Sequence, residues 1–170
     1  IEPFVGKIHL VICGAGHIAL PLSAMGKMLN FKVSILDNRK EFASRDRFPH
    51  VDEIHLGDHA KELKKIKITP DSYIVMVTQG YEHDFGCLQV ALKTKAAYIG
   101  FISSKVKKVK FIRRLRAIKV AEKSIARIHA PMGLDIGAQT PEEIAISIIS
   151  EIVGLKNKTL SNASKFKVQY

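Results

Sequence analysis

A glycine-rich turn near the start of the chain has the residue types and the spacing to hold a phosphate. Gly14, Gly16 and Ala19 lie between an apolar run and a helix-like run in VICGAGHIALPLSAMG. In this G-x-G-x-x-[GA] pattern the first glycine allows a tight turn, and the second lets the backbone approach a pyrophosphate. The helix that follows adds free N–H groups and a partial positive charge. Residues 14–18, here termed the glycine cup, are therefore predicted to bind an anion, with a purely structural turn as the alternative.

Charged residues follow the second apolar run, where a bound nucleotide would place its ribose. Asp37 comes about 20 residues after the glycines, as the dinucleotide fingerprint requires. A carboxylate there can accept hydrogen bonds from both ribose hydroxyls, which favours a ligand with a free 2′-hydroxyl. The nearby Arg39 also allows a ligand with a 2′-phosphate as the alternative. His17 either donates to a phosphate or a pterin, or it caps backbone groups of a polar loop.

Apolar runs and helical periodicity predict alternating strands and helices. The strands are expected at 7–13, 32–36, 52–56, 73–77 and 96–102, and the helices at 17–29, 59–66, 84–93, 105–119 and 140–154. This order predicts an α/β fold, a Rossmann-like doubly wound and mostly parallel sheet with helices on both faces. In the last helix Thr140 and Glu143 form a capping box, Pro141 fits the first position, and Gly154 fits the stop.

The candidate cofactor-binding residues follow predicted strands, so parallel pairing places them at one edge of the sheet. They are Gly14, Gly16, His17, Ile18, Asp37, Arg39, Thr78, Ser103, Ser104 and Lys105. No metal site is assigned, because His55, Asp58 and His59 lie in a polar segment expected to be exposed and lack zinc-site spacing. No nucleophilic catalysis is assigned, because His129 and Asp135 have no nearby serine or cysteine.

Three further side chains have two competing interpretations each. Cys13 is either a small buried hydrophobe, which we favour, or a reactive thiolate. Asp84 is expected to cap the helix that follows it rather than to support a ligand. Arg47 either balances the charge of a cofactor or pins a loop to an acidic residue.

Composition favours one domain with anionic partners. The length of 170 residues suits a Rossmann-like domain at 1–155 with a polar tail at 156–170. The net charge of +11 indicates nucleotides, phosphorylated cofactors or acidic protein surfaces. The basic helix at 105–119 is either a solvated face or a docking surface for an acidic partner. The chain lacks nucleic-acid motifs, a membrane-length apolar run and a disulfide framework, so we expect neither nucleic acid nor membrane as partner and a cytoplasmic location.

A longer series of motifs resembles the nucleotide-binding-like, C-terminal domain of the XdhC/CoxI family. The segments are LVICGAGHIALPL, LDNRKEFASRDRFP, VTQGYEHD, AAYIGFISS and HAPMGLDIGAQTPEEIAISIISEI. The last is the most distinctive, because GLDIG followed by TPEEIA is not a general Rossmann feature. Two positions depart from the family pattern: Tyr81 stands where a histidine is common, and Ser103 with Ser104 where Gly-Ser is common.

The resemblance implies an accessory role in the maturation of xanthine dehydrogenase and related molybdenum hydroxylases, rather than an enzyme. Such proteins are thought to bind the molybdenum cofactor (molybdopterin), present it to a cysteine desulfurase, and help load it into the apo-hydroxylase. The implied assembly is a homodimer. The glycine cup would then hold the phosphate, while Ser103, Ser104, Lys105 and the loop around Gly133 and Asp135 would face the metal end. The alternatives are an NAD(P)-dependent oxidoreductase and a nucleotide-sensing regulatory domain.

Overall fold

Six parallel strands, with helices in most of the connections between them, make up residues 6–160, the part of the chain that the computed structural model describes. The elements are β1 (His9–Cys13), α1 (Ala19–Met28), β2 (Lys32–Asp37), β3 (Glu53–Leu56), α2 (His59–Lys65), β4 (Ser72–Met76), α3 (Tyr81–Ala91), β5 (Tyr98–Phe101), α4 (Lys105–Ala117), α5 (Glu122–Ile125), β6 (Ile128–His129) and α6 (Pro141–Lys156). The strand order is β3-β2-β1-β4-β5-β6, and each neighbouring pair is parallel. This arrangement confirms the predicted Rossmann-like doubly wound sheet.

The sheet has an apolar core on each face. Successive side chains of β1 point to opposite faces, so Leu10 and Ile12 join one core while Val11 and Cys13 join the other. Helices α1 and α6 cover the first face, and α2, α3 and α4 cover the second. All five residues of β1 are buried, as expected for a central strand covered on both sides.

Several helix ends differ from the predicted ones. Helix α1 begins at Ala19, so His17 lies in the preceding turn, and α3 begins at Tyr81, ahead of the predicted start. Helix α6 continues through Gly154 to Lys156. Gly154 lies against the side chain of Leu160, and a Cβ atom there would lie 2.5 Å from Leu160 Cδ1. Most of the predicted tail, residues 161–170, lies outside the described residues.

The capping box of α6 is present, whereas two short elements were not predicted. Thr140 Oγ1 accepts from the Glu143 N–H at 3.2 Å, and Glu143 Oε2 accepts from the Thr140 N–H at 3.1 Å. Strand β6 has two residues and α5 has four, which is too short to show a periodic pattern. Among the described residues, no helix combines the length and apolar character that a bilayer crossing requires.

Candidate functional site

Parallel pairing places the carboxyl ends of β1 and β4 side by side, where the strand order reverses. Gly14 joins this edge through its N–H, which donates to the Leu36 carbonyl at 2.8 Å. Its φ is +108°, and a Cβ atom there would lie 2.8 Å from the carbonyl carbon of Val77. Only glycine fits such a close approach with a positive φ, so Gly14 makes the tight turn that the pattern predicts. Ligands of open α/β sheets bind beside this reversal point.

The glycine cup contains backbone donors without a partner among the described residues, and it has open space at Gly16. A Cβ atom added to Gly16 would meet nothing within 4 Å. Within residues 6–160, the N–H groups of Gly16, His17 and Ile18 donate to no other residue. They lie just ahead of α1, whose N-terminus favours negative charge. This combination of free amides and open space fits a phosphate group.

Arg47 stabilises the backbone of the glycine cup. Its Nη1 donates to the Ala15 carbonyl at 2.7 Å and to the Phe42 carbonyl at 3.1 Å. The guanidinium also lies 4.7 Å from the centre of the Phe42 ring. Arg47 therefore does pin a loop, but it does so through carbonyl oxygens rather than through an acidic residue.

Asp37 ends β2 beneath the cup and is already fully hydrogen-bonded. Its Oδ2 accepts from the Ala15 N–H at 2.7 Å and from Arg39 Nη2 at 2.8 Å. Its Oδ1 accepts from the backbone N–H and the Nε of Arg39, both at 2.9 Å. Burial opposes ionisation, but the hydrogen bonds from Arg39 and Ala15 and the nearness of His59 outweigh it and hold the pKa of Asp37 well below its usual range. The predicted contact of Asp37 with ribose hydroxyls therefore requires these donors to move.

Arg39 lies over Asp37 and reaches across the edge of the sheet. Its guanidinium stacks on Phe42 at 3.8 Å from the ring centre. Its Nη1 points to Gln79 Oε1 at 3.4 Å, in the loop that follows β4. Arg39 thus brings a positive charge between the loops after β2 and β4.

A buried carboxylate connects the loop after β4 to α4. Thr78 Oγ1 donates to Asp84 Oδ1 at 2.6 Å, and Lys107 Nζ donates to Asp84 Oδ2. The predicted capping role of Asp84 is wrong, because α3 begins earlier and Gly80 is its N-cap residue. The hydroxyl hydrogen of Thr78 is engaged by Asp84, so a ligand would meet Thr78 only through its oxygen. Lys107 was not predicted, because the basic run hides which lysine points inward.

The serines after β5 have separate positions. Ser104 Oγ accepts from the Lys107 N–H at 3.2 Å and caps α4, whose first residue is Lys105. Ser103 lines a cavity of about 190 Å³ together with Gly133 and Asp135. The structure therefore brings Ser103 to the GLDIG loop, whereas Ser104 has a structural task.

A buried network holds the GLDIG loop against α6. Glu151 Oε2 accepts from the Tyr98 hydroxyl at 2.6 Å and from the Gly133 N–H at 2.7 Å. The ring of His129 stacks on Tyr98 with the ring centres 4.5 Å apart. Burial and the neighbouring Glu151 charge raise the pKa of Tyr98 well above its usual value, so its hydroxyl remains a donor. This network positions one wall of the cavity.

The two cysteines are packing residues in this structure. Cys13 and Cys87 are both fully buried. The neighbouring thiol of Cys87 and the burial of Cys13 raise the pKa of Cys13 well above its usual value. A protonated, enclosed thiol is a poor nucleophile and a poor metal ligand.

The polar segment that contains His59 is not a solvated loop throughout. Asp58 caps α2 by accepting from the Lys61 N–H at 2.9 Å, and this turn directs the His59 ring inward. His59 is 2% exposed, and neither ring nitrogen has a hydrogen-bond partner within the described chain. Its Nε2 lies 3.8 Å from Asp37 Oδ2, and its ring centre lies 4.6 Å from that of His83. The polar composition of this segment gave no sign that His59 is buried near Asp37.

Comparison with known proteins gives the domain a family. The model of the XdhC Rossmann domain matches residues 10–152. YqeB of Escherichia coli strain K12 is 34% identical over 150 residues, which are 88% of this chain and 27% of YqeB. A protein of Bacillus subtilis strain 168, named as a probable xanthine dehydrogenase subunit, is 27% identical over 158 residues, 93% of this chain and 45% of that protein.

A solved structure agrees with these matches. The crystal structure of a xanthine dehydrogenase from Bacillus halodurans superposes with a TM-score of 0.79 and 32% identity, covering 89% of this chain and 45% of that one. The chain thus spans less than half the length of each of these three relatives. The match of the family model over most of the sequence shows that the chain belongs to the XdhC family and contains its Rossmann domain.

Proposed function

We propose that this domain holds the anionic tail of the molybdenum cofactor in the glycine cup and assists the maturation of a molybdenum hydroxylase of the xanthine dehydrogenase type. The observation that carries the proposal is the set of backbone N–H groups at Gly16, His17 and Ile18, which donate to no other described residue and lie beside the open space at Gly16. The names of two relatives, a probable xanthine dehydrogenase subunit and a xanthine dehydrogenase, support the link to that enzyme class.

The described residues fit the two ends of such a cofactor. The cup and Arg39 would hold the terminal phosphate by charge-assisted hydrogen bonds. The cavity lined by Ser103, Gly133 and Asp135 would receive the metal end. The bound cofactor supplies the molybdenum chemistry, which takes place in the client enzyme. In this proposal the role is that of an accessory protein, and the enclosed thiol of Cys13 takes no part in it.

The remaining steps require protein partners. In this proposal a cysteine desulfurase sulfurates the held cofactor, the apo-hydroxylase receives it, and the accessory protein works in the cytoplasm as a homodimer. Helix α4 supports docking to acidic partners, because Lys108, Lys110 and Arg113 are exposed along it. Attraction of this kind weakens as salt is added.

Anaerobic titration with the molybdenum cofactor tests the proposal. Gly16→Asp places a carboxylate in the open space of the cup and should weaken binding by about tenfold or more. Gln89→Glu is the matched control, because it adds the same charge in a groove between α2 and α3. It should bind as the wild type does. Equal affinity of Gly16→Asp and wild type would contradict the proposal, as would failure of the wild type to support activation of an apo-hydroxylase.

A further inference from the structure

We propose that Arg39, and not Asp37, is the charged residue with which the glycine cup selects its ligand. The selected group is a phosphate monoester, in preference to a ribose with free 2′- and 3′-hydroxyls. This inference rests on the proposed function, since it names the ligand class for the same cup. The position of Asp37 after β2 instead favours Asp37 as the residue that binds the hydroxyls of a ribose.

Asp37 has no accepting capacity to offer. A ribose diol would donate two hydrogen bonds to a carboxylate at this position. Each oxygen of Asp37 already accepts from two donors, Ala15 and Arg39 on Oδ2 and two groups of Arg39 on Oδ1. The side chain is 1% exposed. A diol would have to displace the Arg39 side chain and would gain no accepting site that Arg39 does not already use.

Arg39 has donors and exposure that Asp37 lacks. Its side chain is 30% exposed, and within the described chain its Nη1 has one long contact, to Gln79 Oε1 at 3.4 Å. Stacking on Phe42 fixes the plane of the guanidinium. Arg39 Nη2 and the Ala15 N–H meet on the same Asp37 oxygen, which places the guanidinium directly beside the cup. A planar guanidinium beside free amides is suited to bidentate binding of a phosphate.

His59 gives Asp37 a replacement donor when Arg39 turns to a ligand. It is buried with both ring nitrogens unpartnered in the described chain, which is rare for a buried polar group. Its Nε2 lies 3.8 Å from Asp37 Oδ2, so a movement of about 1 Å would make a hydrogen bond. Arg39 can therefore move its Nη2 to a phosphate while Asp37 keeps two donors on that oxygen. This exchange gives a task to an otherwise unexplained buried histidine.

A pair of probes that differ by one phosphate tests the inference on the full chain. NADPH carries a 2′-phosphate and NADH carries a free 2′-hydroxyl, and the fluorescence of both reports binding. The wild type should bind NADPH about tenfold or more tighter than NADH. Arg39→Ala should remove that preference, because it removes the donors to the phosphate and frees Asp37 to accept from the ribose of NADH. Lys40→Ala removes the same charge from the next, exposed residue and should keep the preference.

A second pair separates the two sources of the phosphate. Molybdopterin ends in a phosphate monoester, whereas its cytosine dinucleotide form ends in a ribose and a base. Whichever of NADPH and molybdopterin binds more tightly identifies the source, and tightest binding by NADH or the dinucleotide form would contradict the inference. In the bound state the ¹⁵N resonances of the His59 ring should shift as its Nε2–H engages Asp37.

Two results would overturn the inference. Equal affinities within both pairs, or a phosphate preference that persists in Arg39→Ala, would show that Arg39 does not select the ligand, while binding itself would leave the proposed function intact. Failure of all four ligands to bind would overturn the inference and the proposed function together.

Discussion

At the scale of single residues, Gly14 and Gly16 lie one residue apart but meet different surroundings. Gly14 touches the backbone of the neighbouring strand end with a positive φ, whereas Gly16 faces open space. Gly14 is therefore required by the fold, whereas Gly16 leaves room for the anionic group that the cup is proposed to bind. Substitution should separate the two requirements.

Alanine at each glycine gives the first prediction. Gly14→Ala should lower the free energy of unfolding by about 2–4 kcal/mol, because the left-handed backbone and the contact with Val77 both oppose a Cβ atom. Gly16→Ala should lower it by less than about 1 kcal/mol. Urea unfolding followed by circular dichroism measures both. Equal losses would show that the two positions do not differ as the structure indicates.

Asp37 gives the second prediction, a dependence of stability on pH. Its pKa is lowered in the folded protein, so its ionisation stabilises the fold above the ordinary aspartate pKa of about 3.9. That contribution is lost as the pH falls below this value towards the lowered one. Asp37→Asn should cost about 2 kcal/mol at pH 7, since the buried carboxylate accepts charged hydrogen bonds, and less at pH 3. Urea unfolding at both pH values measures the difference.

The exposed Asp46 is the matched control for this experiment. Asp46→Asn should change the free energy of unfolding little at either pH. A loss for Asp37→Asn that is as large at pH 3 as at pH 7 would contradict the proposed ionised, hydrogen-bonded state of Asp37.

At the scale of elements, α6 has two separable tasks. Its capping box fixes its own start, and Glu151 in its later turns fixes the GLDIG loop through Gly133 and Tyr98. The first task is local, while the second reaches the wall of the cavity. Variants of the same helix can therefore distinguish them.

The third prediction compares Glu151→Ala with Thr140→Ala. The first should cost about 2–4 kcal/mol of stability, because it leaves buried donors of Tyr98 and Gly133 unpaired. The second should cost about 1 kcal/mol, the usual value of an N-cap. Amide hydrogen exchange at Gly133 should accelerate in Glu151→Ala alone. Equal acceleration in both variants would mean that Glu151 has no specific effect on the loop.

Sequence patterns located the elements whose apolar runs are long, and they missed what depends on packing. Strand β1 and the capped start of α6 were predicted closely, because burial on both faces and a capping box are both local signals. Strand β6 was missed because two residues carry no period. His59 was misplaced because its burial depends on how Asp58 starts α2, which polarity alone does not reveal.

At the scale of the whole molecule, Cys13 of β1 and Cys87 of α3 meet inside one core. Neither thiol has a path to solvent in the folded state, since both residues are fully buried. Their reactivity therefore reports opening of the core between the sheet and α3. Thiol reactivity also distinguishes a cysteine that packs in the core from one that carries sulfur, because only the second must be accessible in the folded protein.

The fourth prediction is that both thiols react with a thiol reagent only as the protein unfolds. The rate should rise with urea in parallel with the loss of secondary structure, because exposure requires opening of the core. Lys40→Cys, which introduces a thiol at an exposed position, should react at once under native conditions. Rapid reaction of Cys13 in the native protein would contradict its assignment as a packing residue.

The fold and the edge that carries the site followed from the order of strands and helices, because parallel strands bring their following loops together. The motif resemblance pointed to the family that the comparison shows. The hydrogen bonds within the site did not follow from the sequence. Arg39 and Ala15 donate hydrogen bonds to the carboxylate of Asp37, and Ser104 caps α4. These contacts depend on side-chain geometry, which residue spacing does not encode.

Binding of a cofactor's anionic tail by the glycine cup can be observed through the backbone amide resonances of the cup itself. Titration of ¹⁵N-labelled protein with the molybdenum cofactor, under anaerobic conditions, should shift the amide resonances of Gly16, His17 and Ile18 most strongly. Smaller shifts should follow at Ser103 and Gly133. Saturable binding that leaves the three cup resonances unmoved would mean that the cofactor binds elsewhere and would contradict the proposed role of the cup.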